Sequence, residues 1–243
     1  MDKIKQIKDA IDNSYNIVVF TGAGISVPSG IPDFRSSTGL YKQKSGLNAS
    51  AEEIISNYFF NRYPDDFYKF YKEKLVYPNA KYNEAHKFFA DLEKINKNVT
   101  VITQNIDGLH TEAGSTEVLE IHGSIHRNNC TGCYKFYPLD EILKSQGIPK
   151  CSCGAIIKPD VVLYGENLDY NVLTKSMYKM QHADLLIVVG TSLAVQPANS
   201  LINYFNGDKI IIINKSETPY DNSASIVIND DIINVIQKLK SYY

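Results

Sequence analysis

Four short runs of the chain are apolar at nearly every position, and each is followed at once by small or polar residues. The runs are Asn16–Phe20, Val99–Thr103, Asp184–Val189 and Lys209–Ile213. Each has strand length and is rich in Val and Ile, so each predicts a buried strand. Ile4, Ile7, Ala10 and Ile11 recur at helical spacing and predict an opening amphipathic helix. Further helical segments are expected at about 51–75, 81–96, 171–181, 197–206 and 230–241. Fully apolar strands alternating with helices predict an α/β class with a Rossmann-like parallel sheet, helices on both faces. Open sheets of this kind bind ligands at the C-terminal ends of their strands. At those ends stand Thr21–Ser26, Gln104–Asp107, Gly190–Ser192 and Asn214–Lys215.

Two stretches break the rhythm. Residues 28–75 are rich in aromatic and polar side chains without a buried strand, and residues 125–160 carry Gly and Pro punctuation. Both read as insertions that build a smaller domain beside the sheet. The expected division is 1–34, 76–124 and 160–243 for the large dinucleotide-binding domain, with 35–75 and 125–159 forming the small one.

Composition narrows the class. The 243 residues are 44% hydrophobic, enough for a sizeable core. With 25 Lys+Arg against 27 Asp+Glu, the formal net charge is -2. No polycation is present, so direct nucleic-acid binding is not expected. No apolar run approaches the roughly 20 residues of a membrane span. The N-terminal stretch lacks the apolar core of a signal peptide. A soluble cytoplasmic protein with no membrane partner is the expectation.

The four cysteines add a metal. Cys130-x2-Cys133 and, 17 residues on, Cys151-x-Cys153 contain every Cys of the chain. This is zinc-ribbon-like spacing, and a cytosolic chain disfavours disulfides as the cause of such a cluster. Four thiolates around one Zn²⁺ leave no position for water, so the site should be structural, not catalytic.

Gly22-Ala23-Gly24 follows the first strand and would let backbone N–H groups approach a phosphate. It is equally a tight strand-to-helix turn without a ligand. Val27 stands where the dinucleotide fingerprint has its third Gly, and no acid ends a second strand at the fingerprint's spacing. The following Ser29-Gly-Ile-Pro-Asp33-Phe34-Arg35 combines an acid, an aromatic and a base in one loop. Arg35 suits bidentate bonding to phosphate or carboxylate, and Phe34 could wall a dry pocket.

Taken in order, Gly22-Ala-Gly-Ile-Ser, Gly30-Ile-Pro-Asp-Phe-Arg, Thr103-Gln-Asn-Ile-Asp-Gly-Leu-His110, His122-Gly-Ser and Gly190-Thr-Ser192 resemble the sirtuins at the family's spacing. The resemblance runs from about residue 3 to 238. It implies an NAD-dependent protein-lysine deacetylase acting on acetylated protein lysines. It implies that Asn105 and Asp107 hold the nicotinamide end of NAD with Asp33, that Gln104 contacts the ribose, and that His122 is the general base. The cofactor pocket would also take Gly22, Ala23, Gly24, Val27, Phe34, Arg35 and Ile106. Gly190, Thr191, Ser192, Asn214 and Ile232 would hold the adenosine end. In this scheme the acetyl oxygen attacks the ribose carbon bearing nicotinamide, and His122 then deprotonates a ribose hydroxyl. The products are free lysine, nicotinamide and O-acetyl-ADP-ribose. The protein supplies orientation, a dry pocket and one base.

The resemblance further implies that Lys158–Glu166 pairs with the substrate peptide by strand addition. Val161 and Val162 would flank the lysine tunnel, with Tyr164 and Gly165 at its mouth. Four departures stand out: Cys-x-Cys replaces the usual Cys-x2-Cys knuckle, Tyr164 replaces Phe, Val27-Pro28 replaces Thr and an acidic or small residue, and Tyr71 replaces an Arg. In relatives that remove succinyl or malonyl groups, a Tyr-x-x-Arg pair binds the acyl carboxylate. Here Tyr68 matches the Tyr but Tyr71 brings no cation, so neutral acyl groups are expected. Two rival readings stay open: a protein mono-ADP-ribosyltransferase using the same pocket, and a non-enzymatic NAD-sensing or zinc-dependent interaction module.

Overall fold

The computed structural model describes residues 2–43 and 46–243. The chain opens with α1 (Lys3–Asp12), whose N-cap Asp2 accepts from the Ile4 amide and whose Ile7, Ala10 and Ile11 are buried. β1 (Asn16–Thr21) follows. Next comes a helical region: α2 (Ala51–Ile54), α3 (Asn57–Arg62) and α4 (Pro64–Phe70), the last continued by a π-turn at Tyr71–Leu75. α5 (Glu84–Leu92), β2 (Asn98–Thr103), α6 (Leu109–Glu112) and β3 (Val118–Glu120) return the chain to the sheet. The cysteine region holds β4 (Gly123–Cys130), β5 (Phe136–Tyr137), α7 (Leu139–Lys144) and β6 (Ile157–Val161). The chain closes with α8 (Tyr170–Gln181), β7 (Leu185–Val189), β8 (Lys209–Ile213), β9 (Ile226–Ile228) and α9 (Ile232–Lys240).

The large sheet has the order β3-β2-β1-β7-β8-β9, and every pairing is parallel. Its strands alternate their side chains between two apolar layers. Val19, Val101, Ile187 and Ile211 face α1, α5 and α9, while Phe20, Ile102, Val188 and Ile212 face Met180, Leu201 and Ile202. Burial on both sides is why these strands read as unbroken apolar runs. The chain leaves β1 toward β2 and β3, then returns to the opposite side of β1 as β7. The topological switch point is therefore the β1–β7 boundary, where a doubly wound sheet opens a crevice.

Beside this sheet lies a three-stranded antiparallel one, β5-β4-β6. It shares a third apolar cluster with the helical region, centred on Ile54, Phe60, Phe67, Tyr68, Tyr71 and Ile142. The expected boundaries near 124 and 160 fall inside β4 and β6, because both strands run on from the large sheet's edge into the cysteine region.

The single helix expected over 51–75 is three. Ser56 caps α3 through its hydroxyl and Pro64 starts α4, where its missing N–H costs nothing. The segment expected at 197–206 is a 3₁₀ helix at Ala198–Tyr204. The extended run expected through Glu166 ends as a strand at Val161 and turns at Gly165, φ 87°. Among the described residues, no helix is long and apolar enough to cross a membrane.

Gly190 tests the switch point directly. Its φ is 60°, and a Cβ there would stand 2.4 Å from the Ile25 amide nitrogen. Gly190→Ala should therefore destabilise the fold by about 2–4 kcal/mol, from overpacking plus left-handed strain. Urea unfolding measures this, and an unchanged midpoint would show that the seam is not tight.

Candidate active site

The turns after β1 and β7 meet edge to edge. The Gly22 amide donates to Val189 O at 3.1 Å and the Gly24 amide to Gly190 O at 2.8 Å. A Cβ on Gly22 would lie 2.7 Å from Thr191 Cβ, and one on Gly24 would lie 2.7 Å from Gly190 Cα. The glycines are thus required by the approach of one turn to the other, before any ligand is considered. Ala23, between them, is half-buried and opens a short 3₁₀ turn, so its amide has no partner within that turn.

Below this seam the next turn residue, Ser26, is fully buried and forms a hub. Its hydroxyl donates to Asp107 Oδ2 at 2.7 Å and accepts from Asn105 Nδ2 at 3.0 Å. His86 Nε2 lies 3.4 Å away on its other side. The Asn83 amide donates to His86 Nδ1, which leaves the imidazole proton on Nε2, facing Ser26. Asp107 Oδ1 accepts from the Leu109 amide. Burial raises the Asp107 carboxyl above the usual carboxylate range, opposed by the Leu109 amide and the Ser26 hydroxyl. One further buried histidine completes the floor. His110 Nε2 meets Thr21 Oγ1 at 3.0 Å, and its ring lies edge-on to His86 at 4.7 Å. Burial holds His86 at about 4 and His110 well below the ordinary histidine value, so both are neutral.

His122 sits between β3 and β4. Its Nδ1 is 3.0 Å from Gln104 O. A carbonyl only accepts, so Nδ1 carries the proton and Nε2 holds a free lone pair. Burial lowers its pKa below the ordinary value, and the Gln104 carbonyl partly restores it. Gln104 Nε2 donates to Thr191 Oγ1 at 3.0 Å, tying the β2 turn to the β7 turn. The Val162 amide donates to His122 O, which sets the β6 segment beside this histidine. His126 Nε2 lies 3.0 Å from Asp107 O and is not part of the cysteine cluster.

Gly22, Gly24, Gln104, Asn105, Asp107, His122, Gly190 and Thr191 are therefore linked in one cluster at the switch point. Other expected site residues are engaged elsewhere. Asp33 Oδ1 accepts from the Arg35 and Ser36 amides, and Arg35 stacks over the Tyr41 ring at 5.5 Å. Phe34 packs on the third apolar cluster, as does Ile106. Val27 and Ser192 are exposed. Asn214 Nδ2 donates to Ser216 O, and Ile232 is buried in the core at the start of α9. Val161 is buried, Val162 half-buried, and Tyr164 and Gly165 are exposed. Tyr68 and Tyr71 are buried, with the Tyr68 hydroxyl donating to Ile157 O. The reading of the sequence missed Ser26, Thr21 and Thr103. The available signal was a hydroxyl residue at the end of each central strand or its turn, a position where burial demands a partner.

The four cysteine sulfurs lie within 4.8 Å of one another. Cys130 and Cys153 Sγ are 3.3 Å apart, and Cys133 and Cys151 Sγ are 3.6 Å apart. A tetrahedral Zn–S₄ site with bonds near 2.3 Å has edges of about 3.8 Å, so the set fits a structural zinc. The thiolates are also supported: Cys130 Sγ accepts from the Gly132 and Cys133 amides, and Cys151 Sγ from the Tyr137 hydroxyl at 3.1 Å. The Cys153 amide and the Tyr137 hydroxyl hold the Cys151 thiol at about 5.

A family model described as Sir2 family matches residues 22–197. A Clostridium perfringens protein named NAD-dependent protein deacetylase is 52% identical over 240 residues, covering 98% of each chain. A Clostridium tetani protein of the same name is 51% identical over 238 residues, 97% of this chain and 96% of the relative. The solved structure of Sir2 with p53 peptide and NAD+ matches with a TM-score of 0.88 at 37% identity, covering 100% of this chain and 98% of that one. Sir2Tm bound to a propionylated peptide matches with a TM-score of 0.86 at 38% identity, covering 99% and 98%.

The cysteine geometry makes a prediction of its own. The purified chain should carry one zinc per molecule by elemental analysis, and Cys151→Ser should fall well below that with loss of thermal stability. Full zinc content in Cys151→Ser would remove this residue from the site.

Proposed function

The chain belongs to the Sir2 family, and from that premise we propose that it removes acetyl groups from protein lysines at the expense of NAD. The observation that carries this reading is the meeting, at one switch point, of Asn105 and Asp107 on Ser26 with a His122 whose free nitrogen is fixed. NAD would bind at the Gly22–Gly24 and Gly190–Thr191 seam, where the Ala23 amide is left for a phosphate. The large unit, 1–34, 76–124 and 160–243, would hold it, with 35–75 and 125–159 as the small unit; the separate apolar clusters support that division.

When bound, NAD supplies an activated bond between the ribose and nicotinamide, which is consumed. The rest falls to the chain. The Asn105 amide and the Asp107 carboxylate flank Ser26, a donor and an acceptor suited to orient a carboxamide. Both are held before the ligand arrives, so no reorganisation is needed on binding. Gln104, fixed to Thr191, borders the ribose position. His122 Nε2, neutral and half-buried, takes the proton from a ribose hydroxyl. The acyl-lysine would enter beside Val161 and Val162, whose segment is tied to His122 through the Val162 amide. The Tyr68 hydroxyl is spent on Ile157 O and Tyr71 is buried, so neither offers a cation to an acidic acyl group. Neutral acyl groups are the proposed substrates, and the cytoplasm is the proposed compartment.

Mass spectrometry of the products, with acetyl and succinyl peptides, tests the reading. Acetyl peptide should yield free lysine, nicotinamide and O-acetyl-ADP-ribose in equal amounts, and succinyl peptide far less. His122→Ala should lose on the order of 10²–10⁴-fold in rate. In the wild type, kcat/KM should fall with acid through a midpoint displaced below that of an ordinary histidine, because burial lowers the pKa of His122 and protonation removes the base. ADP-ribose found on unacetylated protein would favour transferase chemistry, and NAD binding without nicotinamide release would favour a sensing module.

A further inference from the structure

A groove between α3 and the Tyr164–Gly165 turn lies outside the Ser26, Asn105, Asp107 and His122 constellation. It is lined by Asn57, Tyr58, Asn61, Arg62, Tyr164 and Gly165. Its walls are bonded to each other. The Asn57 amide donates to Tyr164 O at 2.9 Å, and the Tyr164 amide donates to Ile55 O at 3.0 Å. The Tyr164 hydroxyl is itself 2.7 Å from that of Tyr41. The groove is thus preformed, which lowers the ordering cost of filling it.

Its polar lining has one sign. Arg62 is exposed and, among the described residues, forms no ion pair, although Asp65 and Asp66 follow one turn later beyond the break at Pro64. Among the described residues, no carboxylate lines the groove. The neighbouring acid, Glu166, is already engaged: Oε1 accepts from Asn57 Nδ2 at 2.8 Å, and Oε2 accepts from Lys158 Nζ at 3.1 Å and the Leu163 amide at 2.9 Å. The Asn61 side-chain amide donates to Asn57 O and Oδ1. Among the described residues, Arg62 is the one cation of this lining, beside the exposed Tyr58 hydroxyl, and the guanidinium fork matches a carboxylate. The groove also borders the segment that the proposed function gives to the substrate peptide.

We propose that this groove is a subsite for an acidic residue of the substrate, Asp or Glu, flanking the acyl-lysine, with Arg62 as its recognition residue. The inference rests on the deacylase reading and adds a substrate class to it: acyl-lysine peptides with a nearby carboxylate. Such a pair stays partly solvated, so its effect is severalfold and screened by salt.

Acetyl-lysine peptides carrying Glu, Gln or Lys at each flanking position in turn test the subsite. At one or two positions, kcat/KM for Glu should exceed that for Gln by about 3-fold, through KM and not kcat. Arg62→Gln should abolish the preference, Arg62→Glu should turn it toward Lys, and high salt should weaken it. Both variants should keep the wild-type circular dichroism and zinc content, which separates lost recognition from lost folding. A Glu/Gln ratio near unity at every position, or one that survives Arg62→Gln, overturns the subsite alone. No turnover of any acyl peptide by the wild type overturns the deacylase reading with it.

Discussion

The seam between the β1 and β7 turns governs the rest of the molecule. Gly24 donates to Gly190 O across it, and neither glycine leaves room for a Cβ. The closeness follows from topology. β1 and β7 are parallel neighbours whose chain connections run in opposite directions, so their C-terminal turns face each other with nothing between. Once that seam closes, Thr191 is in reach of Gln104, and Ser26 is carried under the β2 turn. The chemistry-bearing residues come from turns far apart in sequence, but their positions follow from one backbone contact.

Beneath the seam, uncharged polar groups hold a charged one. His86 and His110 are kept neutral by burial, and Ser26 places its one proton on Asp107. A carboxylate in this setting is costly unless its bonds are satisfied, and the Leu109 amide and the Ser26 hydroxyl satisfy them. His122 differs from the other two because it stands above this floor, half-buried, with one nitrogen spent on a carbonyl and the other free. That difference in surroundings, and not residue type, is what suits His122 to the proposed role of base. The cysteine region contributes at a distance: β4 and β6 join it to Gly123 and Val161, which border His122 and the β6 segment.

The large sheet was legible because its strands are buried on both faces and leave uninterrupted apolar runs. The four cysteines were legible because spacing alone implies a tetrahedral set. The helical region was only partly so. A single helix was expected over 51–75, where the Ser56 cap and Pro64 divide the segment. Within the site, the Gly22-Ala23-Gly24 turn read equally as a phosphate approach or a tight turn, and the closeness of the opposing turn requires its glycines whether or not a ligand binds. Ser26 was overlooked because a lone hydroxyl carries no signal until its burial against Asn105, Asp107 and His86 is known. Asn214 and Ile232 are given to the adenosine end by family resemblance alone; the local pattern did not show that Asn214 bonds Ser216 O or that Ile232 packs in the core. Side-chain direction at a loop is set by tertiary contacts that no local pattern encodes.

The central claim is that Asn105 and Asp107, held on Ser26, form the nicotinamide end of the crevice, and that His122 acts only after nicotinamide has left. Exchange of labelled nicotinamide into NAD, in the presence of acetyl peptide, reads that claim most directly. The account predicts that Asp107→Asn loses exchange and deacetylation together, whereas His122→Ala retains exchange while deacetylation is lost. Exchange at the wild-type rate in Asp107→Asn would contradict it.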